Sequence, residues 1–178
     1  MEERVILVDG DGLEIGSEEK VRAHREPRLH RAFSIFVFDG AGRTLIQQRA
    51  AHKYHSASLW ANACCSHPRP GERTIDAAHR RLHEEMGFDC ALDHAFAFVY
   101  RADVGQGLVE HEYDHVFVGR YEGEPRPDPA EVAAWEWAPL ASLPDRILSQ
   151  PDRFAVWFRI ALPKLLNLEH VTALTASS

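Results

Sequence analysis

Basic charge, cysteine and long apolar runs are all in short supply in this 178-residue chain, and each shortage closes off a class of function. Lys and Arg total 20 against 27 Asp and Glu, a formal charge of −7. That balance argues against nucleic acid as the main partner, because a phosphate backbone calls for a broad basic face. A small phosphorylated ligand needs only a local cluster of cations and stays allowed. The 3 cysteines include an adjacent pair, so no disulfide framework is expected, and free thiols in a reducing cytoplasm are. The spacing Cys-x-x-Cys does not occur, which removes thiolate zinc and dithiol redox motifs. No apolar run nears the ~20 residues that span a bilayer, and Met1-Glu2-Glu3-Arg4 carries no leader pattern, so no membrane insertion is expected. Internal repeats are missing too, and residues 171–178 read as a flexible polar tail.

What is present is ordinary in bulk: 45% hydrophobic and 26% charged residues, enough for one domain over 1–178 with a sizeable core. Val5-Ile6-Leu7-Val8 before Asp9-Gly10-Asp11-Gly12 reads as a short strand and turn. Residues 20–26 are polar and end at Pro27. The apolar, β-branched run 32–38 is a buried strand, leading through Asp39-Gly40-Ala41-Gly42 into 44–48 as a hairpin. Residues 95–100, 113–118 and 133–138 are further strands. Two segments read as helices. Over 72–86, Ile75, Ala78, Leu82 and Met86 recur at intervals of three and four, with Gly87 placed for a left-handed cap. Over 152–167, Phe154, Trp157, Phe158, Ala161, Leu162 and Leu165 are apolar, and Pro163 predicts a kink or break. A mixed β-sheet flanked by helices follows, an α/β or α+β sandwich.

Three groups of residues carry chemistry. The first runs Ser66-x5-Glu72-x7-Arg80-Arg81-Leu82-His83-Glu84-Glu85-Met86-Gly87-Phe88 and resembles the Nudix box. Arg81 and Glu85, four apart, share one helix face that can offer a guanidinium to diphosphate oxygens and a carboxylate to a dication. A solvated face of ion pairs is the bland alternative. Two departures from the box stand out: Ser66 replaces its Gly, and Arg81 replaces a Glu of the hydrolytic carboxylate set. A cation there repels a metal, so the helix is suited to holding a diphosphate without cutting it.

The second group is His24, His30, His67, Glu110 and Glu112, a mixed N/O set suited to Mn, Fe or Zn. Glu110 and Glu112 would share one side of an extended segment. With 11 histidines in the chain, spacing alone does not pick ligands from bystanders, and His52, His55, His79, His83, His94 and His170 are assigned as bystanders. The third is Cys65, between His67 and the phosphate-holding helix. Cys90, in an apolar run, reads as an inert thiol.

Together these features resemble type I isopentenyl-diphosphate isomerases, a Nudix-fold family, across residues 5–166. The markers are Lys20-x3-His24-x5-His30, Arg49-x3-Lys53, Trp60-x-Asn62-x-x-Cys65-x-His67-Pro68, the altered box with Arg80-Arg81, Tyr100-Arg101, Glu110-x-Glu112 and Trp157. The resemblance implies interconversion of isopentenyl and dimethylallyl diphosphate through a carbocation-like state. It implies Glu112, assisted by Tyr100, as proton donor on one face of the alkene, with Cys65 removing a C2 proton on the other and Trp157 facing the cationic centre. It implies Lys20, Arg49, Lys53, Ser66 and Arg81 at the diphosphate, with Arg80 in a supporting role. It implies Mn2+ or Zn2+ held by His24, His30, His67, Glu110 and Glu112, and Mg2+ held by Glu85 and the Cys65 carbonyl. A small isoprenoid diphosphate is then the partner, with a monomer or weak homodimer in the cytoplasm. A Nudix pyrophosphohydrolase and a non-catalytic metal- or nucleotide-binding module remain as alternatives.

Overall fold

A computed structural model describes residues 3–168; His170 and the tail expected at 171–178 lie outside them. The framework is a nine-stranded mixed sheet. β1 (Arg4–Val8) and β2 (Glu14–Glu19) form an antiparallel pair on one edge. At its end Glu19 accepts hydrogen bonds from the backbone N–H groups of Val21 and Arg22, both at 2.8 Å, and so caps α1 (Lys20–Arg25). The polar stretch 20–26 is therefore a short helix, and it sets Lys20 and His24 one turn apart.

β3 (His30–Phe38) runs parallel to β8 (Leu108–Arg120), with register from His30↔Glu112 to Phe38↔Arg120. β8 also pairs antiparallel with β7 (Leu92–Gly105), which places Tyr100 opposite Glu112. β6 (Cys64–Ser66) pairs antiparallel with β3, setting Cys65 against Ser34. β4 (Arg43–Arg49) pairs antiparallel with β3 at Phe38↔Thr44, and with β5 (Trp60–Asn62) and β9 (Val132–Pro139).

The period-2 alternation of β3 separates two cores. Phe33, Ile35 and Val37 pack with Leu82 and Met86 of α2 (Thr74–Met86). Phe36 and Phe38 pack on the other side with Trp157, Phe158 and Leu162 of α4 (Val156–Leu166). Between β9 and α4 lies a short α3 (Leu143–Ser149). This is the expected α+β sandwich.

Gly87 is the left-handed cap of α2, at φ 74°, and an added Cβ would sit 2.3 Å from the Arg126 carbonyl oxygen. The helix expected over 152–167 is interrupted instead. A 3-10 turn over Pro151–Arg153 is followed by extended Phe154, which bridges to Trp60, and the Ala155 N–H donates to the Trp60 carbonyl at 2.9 Å. That strand-like contact delays the helix to Val156. Pro163 does not break it: buried Leu162 and Leu165 anchor both sides, and the helix continues to Leu166.

Candidate active site

The register builds the site. In a pleated sheet, residues directly opposite one another share a face, and so do residues two apart. His30, Glu112 and Tyr100 form one cross-strand row, Glu110 stands two before Glu112, and Cys65 lies opposite Ser34 on that same side. His67 follows two residues beyond Cys65, and α1 adds His24. The result is a cleft of 820 Å³ into which Cys65, Glu110, Glu112, His67 and Trp157 all open. Lys20, Arg49, Lys53, Ser66, Arg81 and Glu85 line the same cleft. His24, His30 and Tyr100 lie buried beside it.

His24, His30, His67 and Glu112 each offer one donor atom, all within 4.8 Å of one another. Glu110 joins a second such group, with His24 and His55. His24 and His30 direct Nδ1 at the carbonyls of Lys20 (2.7 Å) and Arg28 (2.8 Å), which fixes both rings with Nε2 inward. Those two Nε2 atoms, and Nδ1 of His67, are buried without a hydrogen-bond partner. Leaving such groups unsatisfied costs about 1–3 kcal/mol each, so the donor set fits a bound dication. Burial, only partly offset by Glu112, pushes His67 down to about 4 and keeps its lone pair free.

Tyr100 Oη lies 2.9 Å from Glu110 Oε2 and 2.7 Å from Glu112 Oε2. One hydroxyl proton cannot serve two carboxylates, so the row is satisfied when one of them is protonated. Burial and the neighbouring Glu112 push Glu110 well above the usual carboxylate range. Burial also raises Glu112, but the imidazoles of His67 and His30, 2.9 Å and 3.5 Å from its Oε1, outweigh it and hold that group well below the range. Glu112 is thus the ionised member.

The Cys65 thiol is pushed up to about 12 by burial, with Arg49 opposing. Arg49 Nη1 stands 3.8 Å from Sγ, and the guanidinium carbon lies 5.2 Å from the centre of the Trp157 ring. Trp157 is fixed by its own Nε1–H, which donates to Asn62 Oδ1 at 3.1 Å. Asn62 Nδ2 in turn donates to the carbonyls of Ile35 and Cys64, so one buried amide ties α4 to the thiol strand.

Three of the four expected diphosphate cations already have carboxylate partners, and Arg49 instead contacts the Cys65 sulfur and the His55 carbonyl. Lys20 pairs with Glu3 at 3.0 Å, Lys53 pairs with Glu131, and Arg81 contacts Glu84, Glu85 and Glu131. Arg80 forks onto Glu72. Glu85 accepts from Arg81 and from Gln47 Nε2 at 3.1 Å, and it belongs to no multi-donor group among the described residues. A Mg2+ there would need ligand oxygens from the substrate.

One expectation is corrected. His55 was assigned as a bystander, yet it is 6% exposed, lines the cleft, and sits with Nδ1 3.4 Å from Glu110 Oε1. Its loop has no periodic pattern, so nothing in the sequence around it announced burial. Glu131 was missed for the same reason.

Residues 28–158 match the NUDIX domain family. A Burkholderia multivorans protein named isopentenyl-diphosphate Delta-isomerase is 55% identical over 175 residues, covering 96% of this chain and 99% of that one. The chain belongs to the isopentenyl-diphosphate Delta-isomerase family of NUDIX proteins. A Serratia proteamaculans protein of the same name is 52% identical over 158 residues, covering 89% of this chain and 88% of its own. The fold is shared with the solved structure of DR0079 from Deinococcus radiodurans, at TM-score 0.70 and 19% identity, covering 83% of this chain and 90% of that one. In this family member, Arg81 stands at the box position held by a glutamate in the hydrolytic pattern, and it is paired with Glu85 of the same helix.

Proposed function

We propose that this chain interconverts isopentenyl diphosphate and dimethylallyl diphosphate, supplying the electrophilic unit of isoprenoid biosynthesis. The observation that carries the reading is a single cleft holding both a thiol, Cys65, and a buried carboxylate row, with cations at its rim. An allylic shift needs one proton added at the terminal carbon and another removed at C2. Each proton-handling group must reach its carbon within hydrogen-bond distance.

Glu112, with Tyr100 Oη 2.7 Å from its carboxylate, gives the proton at the terminal carbon, and Cys65 takes the one at C2. In the reverse direction the two exchange roles. Tyr100 bridges Glu112 and Glu110 through its hydroxyl and holds the Glu112 carboxylate in place. Trp157, held edge-on by Asn62, offers its π face to the tertiary cation, worth ~2 kcal/mol in a dry site. Arg49, Lys20, Lys53, Ser66 and Arg81 hold the diphosphate.

We assign Mn2+ or Zn2+ to the His/Glu cluster, through His24, His30, His67, Glu110 and Glu112, and Mg2+ to Glu85 with the Cys65 carbonyl and substrate oxygens. A dication in the cluster would supply positive charge that favours the ionised form of Glu112. Among the described residues no helix is long and apolar enough to cross a membrane, and free thiols suit the cytoplasm.

The test is incubation of the protein with isopentenyl diphosphate in deuterated water with Mg2+ and Mn2+. Dimethylallyl diphosphate carrying a deuterated methyl group is expected. Release of phosphate or a monophosphate with the carbon chain unchanged would instead make the protein a hydrolase.

A further inference from the structure

We propose that Asn62 is a positioning residue for the reaction, one amide that fixes the Trp157 ring and the strand carrying Cys65 against each other at the wall of the cleft. This role rests on the isomerase reading above, in which Trp157 faces the cationic centre and Cys65 handles the C2 proton. Both side chains line the cleft, yet they reach it from α4 and β6, elements far apart in sequence. Arg49 spans the two, with Nη1 3.8 Å from Cys65 Sγ and its guanidinium carbon 5.2 Å from the Trp157 ring centre.

Asn62 is fully buried at the end of β5, and both polar atoms of its amide are engaged. Nδ2 carries two hydrogens and donates to two carbonyls, that of Ile35 at 3.1 Å and that of Cys64 at 2.7 Å. Oδ1 accepts from Trp157 Nε1–H at 3.1 Å. A carbonyl oxygen can only accept and an indole N–H can only donate, so the amide has one orientation. Turned over, it would set Oδ1 against two acceptors and Nδ2 against a donor. Aspartate offers the strand carbonyls no donor, leucine of similar volume offers no polar partner, and glutamine carries the amide one methylene too far.

Packing alone would leave this geometry loose. Trp157 belongs to an apolar cluster with Phe36, Phe158 and Leu162, and Cys65 packs against the same cluster. Apolar contacts have no direction and tolerate a tilted or turned ring. The bond from the indole N–H to Asn62 adds direction and selects one tilt. The Ala155 N–H, bonded to the Trp60 carbonyl, holds the start of α4 on β5, but that tie acts on backbone and leaves the ring free to turn. The bonds of Asn62 go to the thiol strand, its neighbour β3 and the ring, and none to the cations that hold the diphosphate. Loss of the amide should therefore weaken turnover rather than binding.

The experiment compares the native protein with Asn62→Asp and Asn62→Leu on isopentenyl diphosphate, each rate normalised to folded protein by circular dichroism. In both variants kcat should fall ~10²-fold with KM nearly unchanged, the signature of a group that matters only in the transition state. A residue that merely stabilises the fold would leave kcat per folded molecule normal, and that result would overturn the proposal. A second measurement needs no change at Asn62. The Trp157 indole N–H signal in NMR, identified by its loss in Trp157→Phe, should exchange slowly with deuterated water in the native protein. Exchange as fast as that of an exposed indole would overturn the proposal even if both Asn62 variants fail to fold. A native protein with a protected indole that makes no dimethylallyl diphosphate would sink the isomerase reading, and this role with it.

Discussion

Cys65 is the residue on which the proposed chemistry turns, and its surroundings allow two direct checks. Cys65→Ala removes one proton-handling group and nothing from the His/Glu cluster. Turnover should fall by at least ~10²–10⁴-fold, the usual range for a general acid or base, with bound metal unchanged. Retention of most activity, measured on protein with normal circular dichroism, would defeat the assignment. A thiol raised from 9.0 to about 12 should also alkylate slowly with iodoacetamide at pH 8 and speed up through pH 10 and beyond. Rapid, pH-independent modification near pH 7 would show that Arg49 wins over burial. The motif around Cys65 was legible because its spacing is rigid; His55 was not, because its burial comes from a loop whose course is set by contacts distant in sequence.

Helix α2 and its cap were readable before any coordinates, since Ile75, Ala78, Leu82 and Met86 mark one stripe and Gly87 ends it. The cap gives a sharp test. Gly87→Ala forces a Cβ into a left-handed position against the Arg126 carbonyl, with an expected loss of about 2–4 kcal/mol. For a chain of this size the melting temperature should drop by roughly 5–15 °C; a change under a degree would mean the loop beyond α2 yields easily. Other elements were hidden. α1 depends on one capping carboxylate, and β5 and β6, three residues each, exist only through their pairing with β4 and β3. The long strands β7 and β8 were seen only in their apolar middles; the polar ends that bear Glu110 and Glu112 are held by each other. Within the helix expected over 152–167, the Trp60 contact at Phe154 could not be foreseen from a periodic pattern.

The protein taken whole carries several histidines that folding keeps neutral. His67 and His115 sit near 4 and His55 near 2, against an ordinary value of 6.5, mainly through burial. Depressed values mean that the unfolded chain binds more protons, so stability is full above about pH 6.5 and is lost as pH falls towards 4. Metal-free protein should therefore show a falling urea midpoint over that window. A flat midpoint between pH 7 and 4.5 would contradict the buried, neutral histidines. On the proposed assignment Mn2+ would bind only the folded cluster, so at 100 times its dissociation constant it should add ~2.7 kcal/mol, and a chelator should remove that gain. An unchanged melting temperature on adding Mn2+ would count against the site.

The pairing of Lys20 with Glu3, and of Lys53 and Arg81 with Glu131, bears on how the cleft lets go. On the proposed binding mode a substrate tail arriving there would displace resident anions rather than land on bare cations, and those anions would stand ready to reclaim their partners. Both isomers wear the same charged tail, so a reaction of this kind gains nothing in release from its own chemistry. Built-in competitors would keep the grip loose enough for one molecule to leave before the next arrives.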